Sequence, residues 1–270
     1  MEPALQRRVQ RYGWDKASSY YEVFWQQQLR PAQDLLLEMA ALQPGESILD
    51  VACGTGLVSF RALEQAPGGN LVGTDISEKM VSLATSLAER IGEKRARFER
   101  MDGEDLSLES EVFDVALCAL GLMYMPFPLK ALQEMRRVLK PGGRVVVAVW
   151  GQRSHCGWAD IFEIVDRHVS SEVCPMFFSL GNASALEIHL RQAGFSNITS
   201  RRIRTTLRYE NTKDALGAAF DGGPVALAYH KFNESIKEQV HADYLASLAP
   251  YKNGEGYDVP GEFVLARADQ

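Results

Sequence analysis

Between Ile48 and Trp150, short runs of β-branched and other apolar residues alternate with stretches whose apolar positions recur every three to four residues. The pattern predicts five strands, Ser47 to Ala52, Asn70 to Asp75, Arg97 to Met101, Val112 to Leu120 and Gly143 to Trp150, and helices over Thr55 to Gln65, Ser77 to Ile91 and Pro128 to Leu139. Such a succession builds βαβ units around a parallel sheet. The run Val145-Val146-Val147-Ala148-Val149 shows no polar alternation, as expected of a strand covered by helices on both faces.

The flanks read differently. Tyr12 to Leu42 carries Trp14, Tyr20, Tyr21, Phe24 and Trp25 at helix-compatible spacing and predicts a helical segment over the sheet edge or a ligand mouth. After Trp150 come helices over Trp158 to Val169 and Ser184 to Ala193, a strand over Asn197 to Arg208, a long helical stretch over Thr212 to Leu248 and a last strand over Glu262 to Ala268. The stretch between these two strands exceeds a hairpin connection and reads as a substrate cap. The expected organisation is a helical lid segment over 1–44, an α/β core over 45–208, a helical cap over 209–258 and a final core strand over 259–270.

Composition narrows the partners. The 270 residues carry a formal charge of -6, which argues against a nucleic-acid polyanion as the main partner. Arg201, Arg202, Arg204 and Arg208 form the one marked basic run, and their alternation fits the solvated face of a strand. No stretch approaches the roughly 20 apolar residues of a membrane span, and Met1 to Gln10 lacks a signal-peptide apolar core, so a soluble, cytoplasmic protein is expected. Cys53, Cys118, Cys156 and Cys174 are widely separated and show no metal-ligand spacing, so reduced, buried thiols and no metal are expected.

The candidate chemistry begins at Ile48-Leu49-Asp50-Val51-Ala52-Cys53-Gly54-Thr55-Gly56, where a strand ends and a helix opens. Glycines let the backbone turn sharply and approach a ligand, and the helix start offers free N–H groups. Asp75 closes the next strand, where a carboxylate can accept from two ribose hydroxyls, or else cap the helix from Ser77. Asp50 lies inside an apolar strand. A buried acid must be satisfied by loop amides or by a cationic group of the ligand, and it would repel a pyrophosphate.

Asp50-x-Ala52-Cys53-Gly54-Thr55-Gly56 with Asp75 resembles motifs one and two of class I S-adenosylmethionine-dependent methyltransferases. Met101-Asp102-Gly103-Glu104-Asp105-Leu106 resembles the segment that holds adenine, Phe113-Asp114-Val115 to Met123 the fourth-strand motif, and Leu139-Lys140-Pro141-Gly142-Gly143-Arg144 the turn before strand five. The likeness spans about Trp14 to Trp150 and is nearest to the ubiquinone-biosynthesis-like (methyltransferase type 11) small-molecule group. Beyond Trp150 only Ala193-Gly194-Phe195 and Val259-Pro260-Gly261-Glu262-Phe263 carry it, in outline.

The resemblance implies a Rossmann-like, doubly wound, mostly parallel sheet of seven strands with one antiparallel member, S-adenosyl-L-methionine as cofactor, and a small-molecule acceptor. It implies that Ala52, Gly54 and Gly56 line the cofactor, with Ile76 in the same set, that Asp75 takes the ribose, that Met80 packs near adenine, and that Asp102 and Gly103 meet its amino group. Ala119-Leu120-Gly121 stands where relatives place a polar residue, leaving backbone contact at Leu120, and Pro126-Phe127 replaces the common Pro-Asp. An Asn-Pro-Pro-aromatic motif is absent there, which disfavours methylation of base amines.

A sulfonium methyl is already activated, so the protein need only align the nucleophile, exclude water and, for an O–H or N–H acceptor, take a proton. Candidate bases are His155, in the loop after strand five and with an ordinary pKa of about 6.5, then Tyr124, and further off Asp221 and His230. Met123, Tyr124 and Met125 either wall the transfer site or fill core, and Tyr20 and Tyr21 either close over the cofactor or belong to a core face. The apolar Leu216, Phe220 and Val225 hint at an apolar acceptor or belong to the cap's own core. Two other classes stay open: a silent cofactor- or partner-binding module, and an NAD-dependent oxidoreductase, which the acid at Asp50 and Ser59 in place of a third glycine oppose.

Overall fold

In the computed structural model, which describes residues 2–169, 174 and 176–270, the apolar runs pair side by side because neither face of most of them can be left in water. Five parallel strands, β1 (Ser47–Val51), β2 (Asn70–Asp75), β3 (Ala96–Arg100), β4 (Phe113–Ala119) and β5 (Leu139–Trp150), are followed by β6 (Ser196–Tyr209), β7 (Lys252–Asn253) and β8 (Gly256–Asp269). The order across the sheet is β3-β2-β1-β4-β5-β8-β6, with β8 antiparallel to β5 and β6, and β7 a short hairpin arm on β8. Val115 to Leu117 and Val145 to Val149 have no exposed surface. The doubly wound, mostly parallel α/β expectation holds, with the two-residue β7 as an eighth strand.

The strand order reverses between β1 and β4, which opens a crevice at the carboxyl ends of the strands, the usual ligand position in such sheets. Helices α1 (Pro3–Ala40), α2 (Leu57–Gln65), α3 (Glu78–Ile91), α4 (Pro128–Val138), α5 (Asp160–Asp166), α6 (Ala185–Gln192), α7 (Thr212–Leu216), α8 (Ala226–Tyr229) and α9 (Glu234–Leu248) complete the fold. Helix α1 runs 38 residues and starts at Pro3 rather than near Tyr12. Its first-turn proline loses no hydrogen bond there. At its other end Ala41 adopts a left-handed conformation (φ 48°) and its N–H returns to the Leu37 and Glu38 carbonyls. Arg144 of β5 completes the end, donating to the Ala40 and Ala41 carbonyls and pairing with both Glu46 oxygens at 2.7 and 2.8 Å.

Three expected boundaries move. The last strand begins at Gly256 rather than Glu262, because Pro260 lies beyond the reach of β5 and needs no N–H toward that side, while β6 pairs with it through Thr206. The helical stretch after Thr212 is broken into α7, a π-helical turn over Gly217–Asp221, α8 and α9. Gly222-Gly223-Pro224 interrupts it, and Asn233 caps α9 by accepting from the Ile236 N–H at 2.9 Å. Regular α-helix after Trp158 spans only Asp160–Asp166. Among the described residues no helix is long and apolar enough to cross a membrane.

Because Arg144 supplies donors to an otherwise open helix end and sits in a half-buried pair, Arg144→Ala should cost about 2 kcal/mol in urea unfolding. A loss under about 0.5 kcal/mol, the ordinary range for a surface change, would mean that α1 docks through apolar contact alone.

Candidate functional site

At the switch point the loops after β1 and β4 each pass through left-handed backbone at a residue that carries a side chain, Ala52 (φ 58°) and Leu120 (φ 63°). Such conformations cost on the order of 1 kcal/mol or more and concentrate where a ligand is held. The two loops touch. A Cβ on Gly121 would overlap that of Ala52, so only glycine fits there. Gly56 (φ 92°) opens α2 in the same backbone region.

Two buried carboxylates close the ends of β1 and β2. Asp75 accepts from the Gly54 N–H at Oδ2 (2.9 Å) and the Ser77 N–H at Oδ1 (2.8 Å), and so braces both loops; Ser77 in turn caps α3 by accepting from the Met80 N–H at 3.1 Å. Asp50 accepts from the Ser59 hydroxyl at Oδ2 (2.6 Å), while its buried Oδ1 finds no donor among the described residues. Burial pushes Asp50 up to about 7, against the lowering pull of Ser59 and with help from the Asp75 charge. Burial also pushes Asp75 up to about 6, against the bonds from Ser77 and Gly54.

In front of these groups lies a cavity of about 960 Å³, its mouth included. Of the sequence-expected cofactor set, Tyr21, Ala52, Gly54, Asp75, Ile76, Met80, Asp102, Gly103 and Leu120 line it. Asp50 and Gly56 stand beside lining residues without lining it themselves. Helix α1 forms the roof through Arg7, Gln10, Trp14, Tyr21, Trp25 and Leu29. Arg7 pairs with Asp102 (2.9 Å) and with buried Glu104, tying the roof to the loop after β3. Asp15 ties it to α3, accepting from the Ser77 hydroxyl at 2.7 Å. Trp14 stands edge-on to Tyr21 and to Tyr124, with centroids 5.7 and 5.2 Å apart.

The two candidate bases part company. Tyr124 lines the cavity, and burial pushes its hydroxyl well above the ordinary phenol range. His155 does not line the cavity. Its Nδ1 faces Glu262 at 2.9 Å, because Glu262, fully buried on β8, is the hub of a cluster that also holds Arg202 (2.5 Å) and the Gln152 N–H (3.1 Å). The structure thus places His155, expected as a candidate base, in the Glu262 cluster outside the lining residues. Asp221 and His230 likewise lie outside the lining residues. Arg201 and Arg208 of the basic run pair with Glu38 and Asp258.

Sequence reasoning missed Trp150 and Trp158, which line the cavity together with Trp14 and Trp25 of the expected N-terminal helix. No sequence signal joins them, because their gathering depends on the packing of α1 over the end of β5. Among the described residues no cluster of histidine, cysteine, aspartate and glutamate could hold a metal ion.

Residues 42–171 match the family model described as a methyltransferase domain. A ubiquinone/menaquinone biosynthesis C-methyltransferase from Ruegeria sp. is 33% identical over 51% of this chain and 55% of its own length. The chain spans about half the length of the curated relatives it matches. Among solved structures, the YcgJ protein of Bacillus subtilis superposes with a TM-score of 0.62 at 16% identity, covering 89% of this chain and 98% of that one. Phosphoethanolamine N-methyltransferase 2 of Haemonchus contortus, bound to S-adenosylhomocysteine, superposes with a TM-score of 0.63 at 18% identity, covering 95% of this chain and 57% of that one.

The raised carboxylates give a pH dependence with a definite sign. The folded chain keeps a proton on Asp50 that the unfolded chain has released by about pH 5, so ionising it in the fold costs stability as pH rises. Relative to Asp50→Asn, the ligand-free protein should lose roughly 1 kcal/mol per pH unit between about pH 5 and 7 in chemical unfolding. A difference curve that is flat or rises over this window would show that Asp50 is ionised at little cost.

Proposed function

We propose that this protein binds S-adenosylmethionine along the carboxyl edge of β1, β2 and β3 and transfers its methyl group to a small, apolar acceptor held at the β4 and β5 end. The observation that carries the reading is Asp50, a buried carboxylate oxygen without a donor at the strand end before a glycine loop. It suits the ammonium of a methionine tail, reached directly or through water, and is hostile to a pyrophosphate. Asp75 keeps a second lone pair on each oxygen after bonding Gly54 and Ser77 and can accept from the ribose hydroxyls. Met80 and Ile76 flank the adenine, Asp102 and Gly103 meet its amino edge, and the Leu120 backbone meets the tail. The names of the Ruegeria and Haemonchus proteins support the same cofactor and reaction class.

When bound, the cofactor supplies an activated sulfonium methyl. The chain contributes position and dryness. The aromatic roof of α1 excludes water, residues 209–258 act as the cap and bring Pro224 to the lining, and Trp14 and Tyr124 wall the transfer site. Tyr124 stays protonated and Asp75 is engaged by two amides, so the fitting nucleophile is one that ionises unaided, such as an acidic phenol or enol, or a carbon made electron-rich by it. The free, buried thiols suit a reducing, cytoplasmic location.

Calorimetric titration should show binding of S-adenosylmethionine and none of NAD. Asp75→Ala should weaken that binding by about 1–3 kcal/mol, the range for leaving hydroxyls unpaired, and unchanged affinity would overturn the ribose assignment. His155→Ala should leave both the affinity and the release of S-adenosylhomocysteine over an acceptor panel within about twofold of wild type. A loss of turnover beyond about a hundredfold, the scale of a lost general base, would return His155 to the reaction.

A further inference from the structure

The first turns of α1 lie over the β3 end of the cavity, and one cation fastens them there. Arg7 sits between two carboxylates of the loop after β3: its Nε faces Asp102 Oδ2 at 2.9 Å, and its terminal nitrogen pairs with Glu104 Oε2. Asp102 lines the cavity, whereas Glu104, two residues on and only 1% exposed, does not. Both acids are themselves fixed. Asp102 Oδ1 accepts from the Glu104 N–H at 2.9 Å, and Glu104 Oε1 accepts from the Phe127 N–H, in the loop after β4, at 2.7 Å. The Arg7 guanidinium also lies 5.6 Å from the Phe127 ring centroid, and neighbouring Gln6 donates to the Tyr124 carbonyl at 3.2 Å. The start of α1 is thereby joined to both loops that bound this end of the cavity.

Glu104 is a buried charge for which methyl transfer itself has no use. A carboxylate so far from water must be paired, and removing its partner costs more than the pair contributes on balance, because the charge stays behind with a single amide. Arg7 belongs to α1 and Glu104 to the core, so lifting the start of α1 would strip Glu104 of its counter-charge. That resists opening. The Arg30–Asp34 pair farther along the same helix has both side chains more than half exposed and carries no such penalty. The arrangement also leaves Asp102 usable, since each of its oxygens keeps a lone pair for a donor in the cavity after Arg7 and the Glu104 amide are satisfied.

We propose that Arg7, anchored on Glu104, is a positioning residue that clasps α1 over the adenine end of the cavity. It opens to admit the cofactor and closes on it, so it sets how fast the cofactor enters and leaves while holding Asp102 toward the adenine amino group. The proposal rests on the cofactor reading above for the identity of the ligand, whereas the fastening of α1 stands on the ion pairs alone.

Two measurements on the full chain test it. Arg7→Met keeps the stem and removes the charge, and Glu104→Gln keeps an acceptor for the Phe127 N–H without altering the cavity lining. In the ligand-free protein each should speed hydrogen exchange of the α1 amides over residues 7–14 by roughly ten- to hundredfold, the worth of a hydrogen bond to a charged group, and leave residues 30–40, which Arg144 holds, unchanged. In stopped flow followed by tryptophan fluorescence, both variants should raise the association and dissociation rates of S-adenosylhomocysteine together, dissociation by about tenfold or more, so that Kd moves less than the dissociation rate. Arg30→Met should change neither measurement. Unaltered exchange over residues 7–14 in both variants would overturn the clasp. So would faster dissociation in Arg7→Met alone with association unchanged, the signature of a plain ligand contact, and wild-type rates despite faster exchange would reduce Arg7 to a brace. Glu104→Gln decides the matter even where Arg7→Met fails to fold. Failure of S-adenosylhomocysteine to bind the wild type, with exchange responding as expected, would sink the cofactor assignment and leave the fastening of α1; binding with exchange and rates unaltered would sink the clasp alone.

Discussion

Two carboxylates buried at the ends of adjacent parallel strands set the terms for everything around them. Asp50 and Asp75 sit where water is excluded, and each is held by whatever donors the neighbouring loops provide. Asp75 thereby decides the path of two loops, because the same carboxylate must face the Gly54 and Ser77 amides. Asp50 is left half satisfied, with an oxygen that only a ligand or a water can complete. A fold optimised for stability alone would not keep such a group. Burial of such a group is the pattern of a site at which a ligand completes the polar contacts.

The roof answers the same constraint from the other side. Helix α1 is polar at many positions and has no strong apolar stripe, yet it is held at intervals by directed contacts: Arg7 to Asp102 and Glu104, Asp15 to Ser77, Trp25 to Ala218 and the α1 terminus to Arg144. Each anchor reaches an element that also lines the cavity or supports its rim. The helix therefore serves as a wall, and the aromatic rings it carries meet the tryptophans at the end of β5.

The Glu262 cluster shows what the sequence around His155 does not report. His155 lies in a loop at the ligand edge of the sheet and is of the residue type most used in proton transfer, two properties that make a candidate base. Neither property reports what the ring faces. Burial pushes Glu262 upward, but the Gln152 amide, His155 and Arg202 together outweigh that push and hold it below the ordinary carboxylate range, so the cluster is a charge-compensated brace between β6, β8 and the loop after β5.

The parallel core and its cofactor edge were legible in the chain because they rest on local rules: β-branched runs for buried strands, glycine where backbone must turn left-handed, an acid at a strand end. Ser47–Val51, Asn70–Asp75 and Phe113–Ala119 were bounded within two residues on that basis. The left-handed Ala52 and Leu120, the closeness of Gly121 to Ala52 and the true start of β8 at Gly256 were hidden, since each depends on a neighbour distant in sequence. So did the gathering of Trp14, Trp25, Trp150 and Trp158 on one cavity and the removal of His155 from it. Sequence determines which residues can turn, bury or ionise, because those are properties of a residue and its near neighbours. Which side chains face one another across the crevice is decided only when helix, sheet and cap pack, because that is a property of pairs the chain brings together from far apart.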